Sequence, residues 1–108
     1  MENSLLNNLL TFYEEDPADP FNIYALALEY LKHDSDKAGR FFDILLIDHP
    51  EYLPTYYHAA SFFGLQENIK KAEEIYMKGI DLALIQNNIK AHQELVRAYR
   101  SFLDEMED

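Results

Sequence analysis

Apolar residues return at helical spacing along almost the whole chain. Between residues 4 and 15, Leu5, Leu6, Leu9, Leu10, Phe12 and Tyr13 form one stripe and leave Asn7, Asn8 and Glu14 to water. Ser4 or Asn3 supplies a cap, and Asp16-Pro17 ends the helix, because a residue before proline is pushed out of the α region. Asp19-Pro20 is a start signal, a capping carboxylate followed by proline at the first helical position. That helix runs to about His33, with Ala25, Leu26, Ala27, Leu28 and Leu31 spread around much of its circumference. Asp34-Ser35-Asp36 makes a polar turn and an N-cap. The next helix covers about 36–48, carries Ala38, Phe41, Phe42, Ile44, Leu45 and Ile47, and stops at His49-Pro50.

The same pattern continues through a fourth helix over about 51–66, with Pro54 in its first turn, where a missing N–H costs little. A fifth spans about 69–86 and includes Ala72, Ile75, Tyr76, Gly79, Ile80, Ala83 and Leu84. Gly79 costs about 1 kcal/mol against alanine in an exposed helix interior, so it implies a neighbouring helix at close approach. Either Asn87 or Asn88 caps a last helix over about 89–106, which buries Leu95, Val96, Tyr99, Phe102 and Leu103 and shows Lys90, Arg97 and Arg100. No stretch alternates with period two. The expectation is an all-α chain of six helices, with short connections that make neighbours antiparallel.

Within this pattern one hairpin is written twice. Tyr24, Leu26, Ala27 and Tyr30 recur 33 residues later as Tyr57, Ala59, Ala60 and Phe63. Ala38, Phe42 and Leu45 recur 34 residues later as Ala72, Tyr76 and Gly79. A period in the mid-thirties with small and aromatic residues in fixed places marks a helix-turn-helix solenoid. The small residues let helices approach while the aromatics fill the spaces between them. An unrelated antiparallel bundle is the competing reading.

On these residues the chain resembles the tetratricopeptide repeat family, and in particular its small bacterial-type members. The first repeat is matched by Ile23, Leu26, Ala27, Tyr30, Ala38, Phe42 and Pro50, and the second by Tyr56, Ala59, Ala60, Phe63, Ala72, Tyr76 and Gly79. Leu84 stands where the second closing proline belongs. Leu5, Leu9, Phe12 and Pro17 fit the second half of a repeat, and His92, Leu95, Val96 and Tyr99 fit a first half or cap, 36 residues after their counterparts. The resemblance implies a right-handed superhelix in a single domain over 1–108. Its parts would be a half-repeat helix over 1–17, repeats over 20–52 and 53–86, and a capping helix over 88–106.

It also implies a concave groove lined by the first helices of the repeats. Tyr24, Leu28, Leu31, Tyr57, Ser61 and Leu65 would face it, with Gln93, Arg97 and Arg100 closing one side. Such a surface suits an extended or helical peptide, unless the terminal helices fill it. A subclass of the family grips acidic carboxyl termini of chaperones with Lys and Asn. The corresponding places here are Tyr24, Leu28 and His58, so no such clamp is expected.

Charge narrows the partners. The net charge of −11 argues against binding nucleic acid through its phosphates. Residues 1–31 contain six acids and no Lys or Arg, and Asp104, Glu105, Glu107 and Asp108 close the chain. These acids serve solubility or meet a basic partner. There is no cysteine, hence no thiolate metal site, and no long apolar run or basic leader, so a cytoplasmic protein away from membranes is the default.

No cofactor or metal is expected. His33, His49, His58 and His92 form no HExxH or i, i+4 histidine pair, and Asp34, Asp36 and Gly39 open like a calcium loop but lack its later ligands. No nucleophile motif or phosphate loop stands out. The expected function is a non-catalytic protein-interaction module or scaffold. Two alternatives stay open: a self-associating homodimer using Phe21, Phe41 or Phe62, and a small helical hydrolase using His58 or His92.

Overall fold

Asp19 and Pro20 show how the helices are started. The Asp19 side chain accepts a hydrogen bond from the Phe21 N–H at 2.9 Å, and Pro20 occupies the first helical position. The structure, a computed structural model, describes residues 4–107. The expected Asn3 cap and the acid Asp108 lie outside them. Among the described residues there are six helices and no strand: α1 Ser4–Glu15, α2 Pro20–Tyr30, α3 Ser35–Asp48, α4 Pro54–Leu65, α5 Ile69–Ile85 and α6 Ile89–Met106. Ser4 is itself helical rather than a preceding cap.

The chain divides into two compact units, Met1–Thr55 and Tyr56–Asp108. In the first, α2 packs against both α1 and α3. The Asn22 amide donates to the carbonyls of Phe12 and Asp16, both at 3.2 Å, which ties the start of α2 to the end of α1. Ile23, Leu26, Ala27, Ala38, Phe42 and Leu45 are fully buried. Around them Phe41 stacks on Tyr30 at 5.6 Å and meets Tyr13 edge-on at 5.5 Å.

α2 ends at Tyr30, three residues before the expected His33. The last turn tightens into i→i−3 bonds, from Lys32 N–H to the Glu29 carbonyl and from His33 N–H to the Tyr30 carbonyl. Asp34 must then be extended, at φ −155°, to cap α3 by accepting from the Lys37 N–H at 3.2 Å. α4 also starts late, at Pro54 rather than Glu51. Leu53 precedes the proline and is disfavoured in the α region, so the chain makes tight turns through Tyr52 instead.

In the second unit the same turn is used twice. Glu67 and Asn87 both adopt positive φ, at 63° and 57°. Each is followed by an asparagine whose N–H reaches back five residues, Asn68 to the Phe63 carbonyl and Asn88 to the Ala83 carbonyl. This is the Schellman ending of a helix. Asn88 then caps α6 by accepting from the Ala91 N–H at 3.0 Å.

Two glycines set the spacing of these three helices. A Cβ on Gly79 would meet Tyr56 of α4 and Leu95 of α6, and one on Gly64 would meet Phe102 of α6 and Ala72 of α5. These neighbours put α5 antiparallel to both α4 and α6, and α4 and α6 in the same direction.

Candidate binding cleft

Because α4 and α6 run side by side with α5 behind them, an open cleft of about 750 Å³ lies within the second unit. One wall is a stripe of α4, where Tyr57, Ser61 and Leu65 follow one another turn by turn beside His58 and Gly64. The other wall is α6, with Glu94, Arg97, Ala98, Ser101, Phe102, Glu105 and Met106. Gly64 and Ala98 keep the middle of both walls low, and Tyr76 of α5 forms the floor.

The cleft joins apolar and polar chemistry. Leu65 is 82% exposed, and Tyr57 and Met106 are each about half exposed. Tyr76 is only 5% exposed, and its ring stacks on Tyr99 and lies against Phe102, both at 5.5 Å. Burial raises the Tyr76 phenol above its usual pKa, and the nearby Tyr57 and Glu105 add to the effect. Its hydroxyl has no hydrogen-bond partner among the described residues. Burial pushes the His58 imidazole below its usual pKa. Among the described residues no group of three His, Asp or Glu side chains could hold a metal ion.

Solved structures with a similar fold are known. The solution NMR structure of a tetratricopeptide repeat domain protein from Salinibacter ruber aligns with a TM-score of 0.75 and 36% identity, over 81% of this chain and 89% of that one. A crystal structure of a tetratricopeptide repeat domain protein from the same organism aligns with a TM-score of 0.74 and 34% identity, over 78% and 96%. This chain belongs to the tetratricopeptide repeat family. No protein-family model matches it, and no curated protein does so at a significant level.

Within this repeat fold the nine expected groove residues separate. Tyr57, Ser61, Leu65 and Arg97 share the cleft. Arg100 and Gln93 do not line it. At about 100° per residue, Arg100 is rotated away from the stripe that runs through Ala98, Ser101 and Glu105. Tyr24, Leu28 and Leu31 belong to the first unit. Tyr24 is half-buried with its ring edge-on to Tyr52 at 5.8 Å, and burial, with Tyr52 beside it, raises its pKa. Leu28 is half-buried, and Leu31 stands in the turn after α2 rather than on the helix, 40% exposed.

The sequence reading left Glu94, Ser101, Glu105 and Met106 out of the groove and gave Tyr76 to packing alone. Continuing the α6 stripe from Arg97 by i+4 steps would have reached Ser101 and Glu105. Of the three phenylalanines expected at a self-association surface, only Phe21 is exposed, at 60%. Phe62 is buried, and Phe41 is held between Tyr13 and Tyr30.

Proposed function

We propose that this repeat protein is a non-catalytic interaction module whose second-unit cleft binds a peptide or a protein surface segment. What carries the reading is an open cleft in which exposed Tyr57 and Leu65 line up on one wall, opposite Arg97 and Met106. Exposed aromatic and aliphatic groups beside polar ones supply anchoring area together with orientation. The walls run for about 12–18 Å at 1.5 Å per residue, room for three turns of a helix or a few extended residues. The acidic balance disfavours nucleic acid, no described helix is long and apolar enough to cross a membrane, and a cysteine-free acidic chain fits the cytoplasm.

The test is affinity capture of a partner followed by calorimetry with three variants that retain native circular dichroism. Tyr57→Ala combined with Leu65→Ala weakens binding at least about tenfold, as loss of central anchors does. Tyr24→Ala, a change in the first unit, leaves it unchanged. Full binding by the Tyr57/Leu65 double variant rules the cleft out.

A second reading, self-association, is favoured by a different surface. Leu84, Ile85 and Ile89 flank the α5–α6 turn at 58%, 77% and 72% exposure. A strict monomer by light scattering at high concentration rejects it.

A further inference from the structure

The cleft is chemically uneven along its length. At one end Arg97 lies one turn from Glu94 on the same helix. At the other, α6 closes with Asp104, Glu105 and Glu107 and has no basic residue in its last turn. Carboxylates at a helix C-terminus face the negative pole of the helix, where cations are preferred. Glu105 has no ion pair among the described residues, and Arg97 is about 12 Å away along the helix at 1.5 Å per residue. Near Glu105 the floor presents Tyr76, whose residue is only 5% exposed and whose hydroxyl opens to the cleft with no protein partner among the described residues. An unpaired carboxylate, an unpaired hydroxyl, aromatic rings and a negative helix end therefore converge on one place.

We infer that this end of the cleft receives an arginine side chain from a segment of a protein partner, with a neighbouring apolar residue of that segment resting on Leu65 and Met106. The guanidinium has five donors in a planar fork. It serves the Glu105 carboxylate and the Tyr76 hydroxyl together, and its flat face suits the Phe102 ring. The chain's net charge of −11 favours the same sign of partner. The inference rests on the cleft being a peptide site and adds what the peptide must carry.

The probe is the peptide acetyl-Ala-Leu-Xaa-Leu-Ala-amide with arginine, citrulline or glutamate at Xaa, titrated into the isotope-labelled full chain while the amide signals of Ser61 and Glu105 are followed. The arginine peptide binds at least about tenfold more tightly than the glutamate peptide and severalfold more tightly than the citrulline peptide, the scale of one charge-assisted hydrogen bond. Tyr76→Phe weakens the arginine peptide severalfold. Glu105→Gln erases the preference over citrulline while raising the melting temperature, because it removes a charge from the wrong end of α6. That opposite movement of affinity and stability separates recognition from misfolding. Equal binding of all three peptides overturns the arginine assignment but leaves the cleft a peptide site. If no peptide at millimolar concentration shifts the cleft signals, both readings fail.

Discussion

Gly79 and Tyr56 meet with no room for a methyl group between them. A Cβ placed on Gly79 would lie 2.7 Å from the Tyr56 Cβ and 3.3 Å from the Leu95 Cδ1. The Tyr56 Cβ is bound to the backbone and cannot swing aside, so the three helices of the second unit are held apart by the absence of one side chain.

Gly79→Ala therefore sets two effects against each other. Alanine gains about 1 kcal/mol of helix propensity, but overpacking a closed site costs about 1–3 kcal/mol, with more where backbone must move. The steric term dominates, and we expect a net loss of about 1–2 kcal/mol in urea denaturation. Gly64→Ala is the contrast. Its nearest neighbour is the Phe102 Cε1 at 3.3 Å, a ring edge that can shift by a few tenths of an ångström. It should be neutral or slightly stabilising. Equal losses at both glycines would show that ring motion is as restricted as backbone motion.

Much of this was legible because local chemistry and long-range packing agree. Asp19-Pro20, Asp34 and Asn88 were readable as starts since each carries its own capping atom. Gly79 was readable because glycine inside a periodic helix needs a reason. The end of α2 and the start of α4 were not, because Leu31 and Tyr52 fit a helical pattern and yield only to the turn geometry that Asp34 and Pro54 impose. In the cleft, Tyr57, Ser61 and Leu65 follow from one helix's own period. Which face of α6 opposes them depends on how α6 docks against α5, and its loose match to the repeat left that open. Arg100 was thus expected where Ser101 stands. Tyr76 both packs and lines the cleft, and a repeat signature speaks only of the first.

Thr55 is fully buried, and its Oγ1 finds no hydrogen-bond partner among the described residues. A buried unsatisfied hydroxyl costs about 1–3 kcal/mol, and an apolar group of the same shape removes that cost. Thr55→Val should therefore stabilise the protein by about 1 kcal/mol, read as a higher denaturation midpoint at unchanged slope. A clear loss would mean that a water molecule satisfies the hydroxyl.

Glu67 holds φ at 63° in the α4–α5 turn, where the equivalent residue of the next turn is Asn87. Asparagine tolerates this conformation through its short polar side chain, and glycine adopts it without strain. Glutamate pays about 1–2 kcal/mol there. Glu67→Gly should raise stability by about 0.5–1 kcal/mol after the greater flexibility of the unfolded chain is deducted. Asn87→Ala should lower it by a similar amount. Thermal melts of both variants check the pair, and a stabilised Asn87→Ala would contradict the shared turn geometry.

His58 gives the cleft a pH dependence whose sign follows from its burial. Its folded pKa lies below the ordinary value of 6.5 because the side chain is partly withdrawn from water. Well above 6.5 the imidazole is neutral in both folded and unfolded chains and contributes nothing to the pH dependence. As pH falls through that value the unfolded chain takes up a proton that the folded protein resists. Stability therefore drops from about pH 6.5 down to the folded pKa, after which this contribution stays constant. Carboxylates elsewhere also respond to acid, so the informative quantity is the difference between the wild type and His58→Gln. Melting temperatures of the two proteins should run parallel above about pH 7 and diverge below it, with the wild type losing more. Parallel curves throughout would show that His58 is free to protonate in the folded state.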